Sequence, residues 1–172
     1  DVYNETVTEL PGSVFAGCEK LGSIEIPETV RTIGEYAFNR CKSITAAEIP
    51  YGVAKLDKYT FANCEMLESV KIPDTVEKIG EHAFVNCKSL KTLVIPEGVT
   101  EIGSRAFAEC PNLERVELPN SLAKAKNVTE NTVMTIFDQS PNVTAVVYPK
   151  SYAEQYGKRI NIPWTYMGRT TD

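Results

Sequence analysis

Residues 67–87 read LESVKIPDTVEKIGEHAFVNC, and residues 90–110 read LKTLVIPEGVTEIGSRAFAEC. Both stretches contain an Ile-Pro pair, an Ile-Gly pair, an Ala-Phe pair and a final Cys at the same positions. Each shared residue recurs after 23 positions, as Cys87 and Cys110 show. Self-similarity at a fixed period of about 20–50 residues predicts stacked structural repeats.

The same period runs through most of the chain. The cysteines and five of the phenylalanines recur every 23 residues, and they are Cys18, Cys41, Cys64, Cys87, Cys110, Phe15, Phe38, Phe61, Phe84 and Phe107. The sixth phenylalanine, Phe137, follows after 30 residues, so seven residues are inserted within Ser121–Ile136. We therefore predict five units of 23 residues and one of 30 over residues 1–149, followed by a terminal segment over 150–172.

One unit shows how the chain folds locally. Val70 and Ile72 alternate with Ser69 and Lys71, which predicts a short strand with one buried face. Proline cannot continue a strand ladder, so the strand ends at Pro73. A second short extended segment is predicted over residues 76–80, where glycine turns the chain.

The end of the unit has a different spacing. Ala83, Phe84 and Cys87 fall on one side at helical spacing, which predicts a single helical turn within residues 81–87. Each unit carries about eight apolar positions, which one coil cannot bury alone. Stacked coils would bury them in a continuous core, with parallel strands about 4.8 Å apart. In the last unit, whose positions follow those of the fifth unit after 30 residues, the same strand alternation predicts that Val146 is buried. It also predicts that Ala145 and Val147 lie on the exposed face.

The pattern Leu-x-x-Ile-x-Ile-Pro-x-x-Val-x-x-Ile-Gly-x-x-Ala-Phe-x-x-Cys resembles the leucine-rich repeats of BspA-like bacterial proteins, over about residues 3–149. The resemblance implies an α/β solenoid. This is a right-handed leucine-rich-repeat coil with parallel strands on its concave face and short strands and helical turns on its convex side. Residues 150–172 resemble the segment that often ends such arrays. We expect a short helix over about 150–158 and then an extended piece in which Trp164 and Tyr166 cover the core.

The resemblance also implies a function. It indicates a non-enzymatic protein-binding or adhesion module of a cell-surface or secreted bacterial protein. Its partners would be host extracellular-matrix proteins such as fibronectin or fibrinogen. A net charge of −5 and a pI of about 5.1 argue against nucleic acid or an anionic membrane surface as the main partner. No apolar run approaches the roughly 20 residues that a membrane-spanning helix needs.

The cysteine column could in principle form disulfides or bind a metal. Parallel Cβ vectors on stacked coils would be about 4.8 Å apart, whereas a disulfide needs about 3.8 Å. Zinc needs ligands that converge tetrahedrally, which a straight column with one histidine does not provide. The sequence therefore predicts buried thiols that act as small apolar residues, without a metal or a cofactor.

Two further groups of residues are candidates for catalysis. His82 shares its repeat position with Ser13, Tyr36, Tyr59 and Arg105, so we expect a solvated side chain rather than a partner for a nucleophilic cysteine. Glu25 and Glu48 fall on consecutive exposed strand positions, at the separation of a retaining glycosidase pair. However, Lys71 continues that column and should attract the carboxylates, and a flat sheet face offers no cleft. No catalytic residue is predicted.

The concave face is the predicted binding surface, because solenoids use such surfaces to bind macromolecules. Its predicted binding residues are Glu25, Glu48, Ser69, Lys71, Thr92, Arg115 and Glu117. Tyr51 interrupts an otherwise polar column, so its ring is expected to be exposed.

Two alternatives to this function remain open from the sequence. The repeats could be a spacer or stalk that presents another domain, with a sheet face that binds nothing. An enzyme, which is less favoured, would require an activity that depends on Glu25 or Glu48.

The first unit begins near Tyr3 with nothing before it to cap the core. We therefore expect the native protein to continue upstream, and a fragment alone to self-associate through its N-terminal edge.

Overall fold

The computed structural model describes residues 6–124, 136–149, 154 and 162–167. Within them the chain forms eleven short strands and one 3₁₀ helix, at Asn120–Lys124. The strands are β1 (Glu9–Leu10), β2 (Thr32–Ile33), β3 (Ala46–Glu48), β4 (Lys55–Leu56), β5 (Ser69–Lys71), β6 (Lys78–Ile79), β7 (Thr92–Val94), β8 (Glu101–Ile102), β9 (Arg115–Glu117), β10 (Thr144–Val147) and β11 (Trp164–Tyr166).

All described strand pairs are parallel, and each joins equivalent positions of successive coils. On one side, β3 pairs with β5, and β7, β9, β10 and β11 form a sheet in spatial order. We call this side the long-strand face. On the other side, β1 pairs with β2, and β4, β6 and β8 pair in order. We call this side the short-strand face. The chain is thus a parallel β-solenoid of about 6 turns.

The predicted helical turn is wrong. Residues 81–87 form successive turns, because His82 and Asn86 adopt left-handed backbone conformations with φ of 56° and 59°. A right-handed helix cannot include such residues. The backbone N–H groups of Ala83 and Val85 donate to carbonyl oxygens three residues earlier. The Phe84 N–H instead donates to the Ala106 carbonyl oxygen in the next coil. The repeat is therefore a β-solenoid closed by turns, and the α/β description that the resemblance implied is not confirmed.

A ladder of phenylalanine rings fills the centre of the core. The ring centroids of successive coils are 4.9–5.8 Å apart, with interplanar angles of at most 19°. Phe38, Phe61, Phe84 and Phe107 are fully buried, while Phe15 is half-buried at the first coil. The sequence prediction of a continuous core between stacked coils is confirmed.

Four of the five cysteines lie in this core, as predicted. Each buried thiol donates to the carbonyl oxygen of the phenylalanine in the preceding unit, at 3.1–3.3 Å. Burial raises the pKa of Cys41 to about 11 and the pKa values of Cys64 and Cys110 to about 12. Cys18 is exposed, so the prediction of five buried thiols is wrong at this position. It lies on the first coil, where no described coil covers the column.

These differences predict how the thiols react. At pH 8 we expect an excess of Ellman's reagent to modify Cys18 rapidly in the folded protein. The four buried thiols should react only on unfolding, because burial both blocks access and keeps them protonated. Absorbance should therefore report about one reactive thiol before guanidinium is added and five afterwards. The variant Cys18→Ser should give none before unfolding, and several rapid thiols in the wild type would contradict the buried column.

The last coil departs from the predicted spacing by one residue. Thr144 pairs with Arg115, Ala145 with Val116 and Val146 with Glu117, so the strand offset is 29 residues rather than 30. The assignments of Ala145 and Val147 to the exposed face are therefore wrong, because Ala145, Val146 and Val147 are all buried. The Phe column keeps its offset of 30, since the Phe107 N–H bonds to the Ile136 carbonyl oxygen.

The described part of the terminal segment covers the end of the core. Strand β11 pairs with β10, and the side chains of Trp164 and Tyr166 pack against the hydrophobic cluster. The Tyr166 hydroxyl donates to the Glu154 carboxylate at 3.0 Å. The predicted helix over 150–158 lies outside the described residues apart from Glu154, and the domain boundary at 149/150 stays a prediction.

The opposite end of the core is more open among the described residues. Val7, Val14 and Cys18 are exposed, and Leu21 and Ile24 are half-buried. Strand β1 pairs with β2 through one edge only. Self-association through this edge stays a prediction, and the start of the first unit, near Tyr3, lies outside the described residues.

Candidate functional site

Six of the seven predicted binding residues lie on strands of the long-strand face. Glu48 is on β3, Ser69 and Lys71 are on β5, Thr92 is on β7, and Arg115 and Glu117 are on β9. Glu117 is half-buried, and the other five side chains are exposed. The seventh residue, Glu25, is also exposed, but it lies between β1 and β2 in a segment that forms no strand.

Strand pairing aligns these residues in two exposed rows. The first row pairs Ala46 with Ser69 and Thr92 with Arg115. The second row pairs Glu48 with Lys71 and Val94 with Glu117. The alternation of buried and exposed strand residues thus produces an accessible face with small side chains at its centre, as the sequence predicted.

Charges on this face are neutralised within the face. The Lys71 ammonium donates to Glu48, and this hydrogen bond raises the pKa of Lys71. The Arg115 guanidinium donates to Glu117 Oε1 at 2.8 Å. The expected attraction between Lys71 and the glutamate column is therefore confirmed. Between these two pairs the surface is uncharged, and it consists of Ser69, Thr92 and Val94.

Val94 is the apolar residue that the sequence prediction left out of the binding set. Its side chain is 58% exposed at the middle of the face, although valine usually lies in protein cores. The sequence contains a signal for this exposure, because Val94 occupies the repeat position that Glu48, Lys71 and Glu117 occupy in other units. Tyr51 is 69% exposed, which confirms the prediction for its ring.

The arrangement does not support the catalytic alternatives. Glu48 is bound to Lys71, so it is not positioned as one of two free carboxylates beside Glu25. In the described part of the chain, no three His, Cys, Asp or Glu side chains converge as a metal site would require.

His82 is not solvated as predicted. Its ring stacks on Tyr59 with centroids 4.7 Å apart, and Tyr59 stacks on Tyr36 at the same distance. The side chain is only 17% exposed, and its Nδ1 lies 3.5 Å from Glu81 Oε1. Residues at one repeat position therefore form a second ladder on the turn side of the coil. Packing between coils explains the position of His82 without a catalytic role.

The comparison with protein families assigns this architecture. A family model for the BspA-type leucine-rich repeat region matches residues 8–132 in 6 copies. The chain belongs to the BspA-type leucine-rich repeat family. The resemblance seen in the repeat pattern is thus confirmed, and the fold is typical of protein-interaction modules. Comparison with curated proteins gives no match.

Solved structures of bacterial repeat proteins share the fold. A leucine-rich repeat protein from Bacteroides ovatus is 33% identical with a TM-score of 0.73, over 86% of this chain and 39% of that protein. The leucine-rich repeat protein of T. pallidum is 25% identical with a TM-score of 0.76, over 96% and 82% of the two chains. The pneumococcal vaccine antigen PcpA is 18% identical with a TM-score of 0.67, over 87% and 42%.

The Bacteroides ovatus and T. pallidum proteins are described as leucine-rich repeat proteins rather than as enzymes, which points to a non-enzymatic role. The chain spans about two fifths of the length of the Bacteroides ovatus protein. In the described residues, the structure contains no helix with the length and apolarity to cross a membrane.

Proposed function

We propose that this chain is a non-enzymatic protein-binding module of a bacterial cell-surface or secreted protein, and that its long-strand face binds the partner. The observation that carries this proposal is the exposed valine at the centre of that face. Val94 lies among small uncharged side chains, and the flanking ion pairs, Glu48–Lys71 and Arg115–Glu117, lie on either side. Interfaces commonly combine an apolar centre with a polar rim.

The partner class follows from the family resemblance. We propose a host extracellular-matrix protein, such as fibronectin or fibrinogen, and adhesion as the biological role. The pneumococcal vaccine antigen PcpA shares the fold, and its description as an antigen motivates the surface location. The face itself is flat and uncharged at its centre, so it suits a broad protein surface rather than a small molecule.

A spacer function is the second candidate, and a specific observation favours it. The charged residues of the long-strand face already neutralise each other, as they would on a surface that only faces solvent. A spacer requires no partner for this face. The two functions differ in whether replacing exposed residues there changes any binding.

Direct binding tests the proposal. Immobilised fibronectin and fibrinogen are exposed to the purified chain at concentrations up to about 10 μM, with serum albumin as the reference surface. We expect saturable binding to at least one matrix protein and none to albumin. Absence of binding at these concentrations would argue against the matrix partner and favour the spacer.

A further inference from the structure

A groove on the short-strand face is separate from the proposed binding surface. It has a volume of about 340 Å³ and crosses three coils. We call it the basic groove, and it is lined by Arg31, Thr32, Ala54, Lys55, Glu77 and Lys78. The small side chain of Ala54 lies between the longer chains of Arg31 and Glu77 at the same repeat position. Three of its six residues are cationic, although the whole chain has a net charge of −5.

Arg31 is held in place by neutral groups. Its Nη1 donates to the carbonyl oxygens of Glu28 and Val30, at 2.7 and 2.9 Å. Its stem lies over Gly52, where an added Cβ would be 2.8 Å from Arg31 Cδ and Nε. Within the described residues, no carboxylate lies within ion-pair distance of the guanidinium. The position is therefore fixed while the charge stays available.

The two lysines differ from Arg31 because each has a carboxylate neighbour. Lys55 Nζ lies 3.1 Å from Asp57 Oδ2, and Lys78 Nζ lies 2.7 Å from Glu101 Oε1. Both are surface pairs, which contribute little stability and exchange partners readily. Lys55 and Lys78 are paired residues of adjacent strands. They can therefore turn toward a ligand that Arg31 anchors.

From this geometry we infer that the basic groove binds an acidic segment of a partner protein. Arg31 provides the fork that a carboxylate binds bidentately, and the lysines provide a second cationic position. Arg31 and Lys78 are two coils apart, or about 9.6 Å. An extended segment carries alternate side chains about 6.7 Å apart. Carboxylates at i and i+2 can therefore contact Arg31 and Lys78 together, because the flexible lysine side chain spans the remaining distance.

The surrounding carboxylates favour a protein segment over nucleic acid. Glu77 lies within the groove, and Asp57 and Glu101 lie beside its lysines. A polynucleotide would place closely spaced phosphates against all three, in a chain that is acidic as a whole. Spaced carboxylates on a peptide can avoid them. The groove and the long-strand face share no residues. Loss of binding at one of these sites therefore does not require loss of binding at the other.

Fluorescence anisotropy with a labelled synthetic peptide tests the inference. The probe is acetyl-Gly-Asp-Gly-Asp-Gly-Asp-Gly-amide, and the same peptide with Asn in place of Asp is its neutral match. In about 20 mM salt we expect the acidic probe to bind with a dissociation constant below about 1 mM and the neutral probe not to bind. Arg31→Ala should weaken binding about ten-fold or more, as loss of one bidentate charged pair predicts.

Matched variants separate the groove from nonspecific attraction. Lys88→Ala removes an equal charge from a turn outside both the basic groove and the long-strand face, where the side chain is 50% exposed, and should leave the affinity unchanged. Arg31→Lys keeps the charge without the fork and should bind between the wild type and Arg31→Ala. The inference is overturned if the wild type does not bind the acidic probe, or if Arg31→Ala and Lys88→Ala weaken binding equally. Displacement of the probe by a short RNA at lower concentration would also overturn it.

Discussion

Replacing Phe84 by alanine should lower the free energy of unfolding by about 3–5 kcal/mol. The ring is fully buried and stacks on both neighbours, with centroids 5.5 Å from Phe61 and 5.4 Å from Phe107. Its removal leaves a cavity in the one core that all coils share, and close-packed neighbours cannot fill it completely. Guanidinium denaturation followed by circular dichroism measures the change.

Phe15 is the matched control for this substitution. It occupies the same repeat position, but it is half-buried, and among the described residues it stacks on Phe38 alone, at 5.4 Å. Phe15→Ala should therefore cost about half as much as Phe84→Ala, in proportion to the lost contacts. Equal losses at both positions would show that the rings do not act through stacking between coils.

Replacing Gly103 by alanine is the second substitution with a large expected effect. A Cβ at this position would lie 2.5 Å from the Glu81 nitrogen and 2.7 Å from the Gly80 carbonyl carbon. Both atoms belong to the backbone of the preceding coil, so no side-chain rotation can relieve the overlap. We expect a loss of about 3 kcal/mol, the upper end for overpacked sites, measured by the same denaturation.

Gly22→Ala is the control for Gly103→Ala. No atom lies within 4 Å of a Cβ added to Gly22, and its φ is not positive. This substitution should leave the stability unchanged or raise it by about 0.4–1 kcal/mol, because alanine restricts the unfolded chain. A loss at Gly22 as large as that at Gly103 would contradict the explanation by close approach of the coils.

The repeat was predictable because its period is written directly in the sequence. Cysteine and phenylalanine recur at positions that stacking converts into columns, so the burial of every member beyond the first coil followed from spacing alone. The helical turn could not be predicted correctly, since Ala83, Phe84 and Cys87 have the same spacing in a helix and in successive turns. Left-handed backbone is usual for glycine, and a residue such as His82 in that conformation gives no signal.

Single-residue shifts are also hidden from the sequence. The columns of the last unit share an offset of 30, but β10 pairs at an offset of 29. The last unit reaches its strand four residues after Ser140, at Thr144, whereas the preceding unit reaches Arg115 five residues after Cys110. The long-strand face was predictable from alternation within each strand. The basic groove was not, since Arg31, Ala54 and Glu77 occupy a position without a common residue type.

The central claim of this account is that the long-strand face binds a protein partner. Val94 and Met66 provide a matched pair for testing it. Both are exposed apolar residues, at 58% and 51%, but Met66 lies in a turn outside the strands. Replacing either by arginine adds the same charge and places the same side chain on the surface.

The decisive measurement is therefore the affinity of the wild type, Val94→Arg and Met66→Arg for the matrix protein that the wild type binds, after thermal melts show that all three are folded. We predict that Val94→Arg weakens binding at least about ten-fold, because a charge would be buried at the centre of the interface. Met66→Arg should bind like the wild type. Unchanged binding by Val94→Arg, or equal weakening by both variants, would contradict the assignment of the long-strand face as the binding surface.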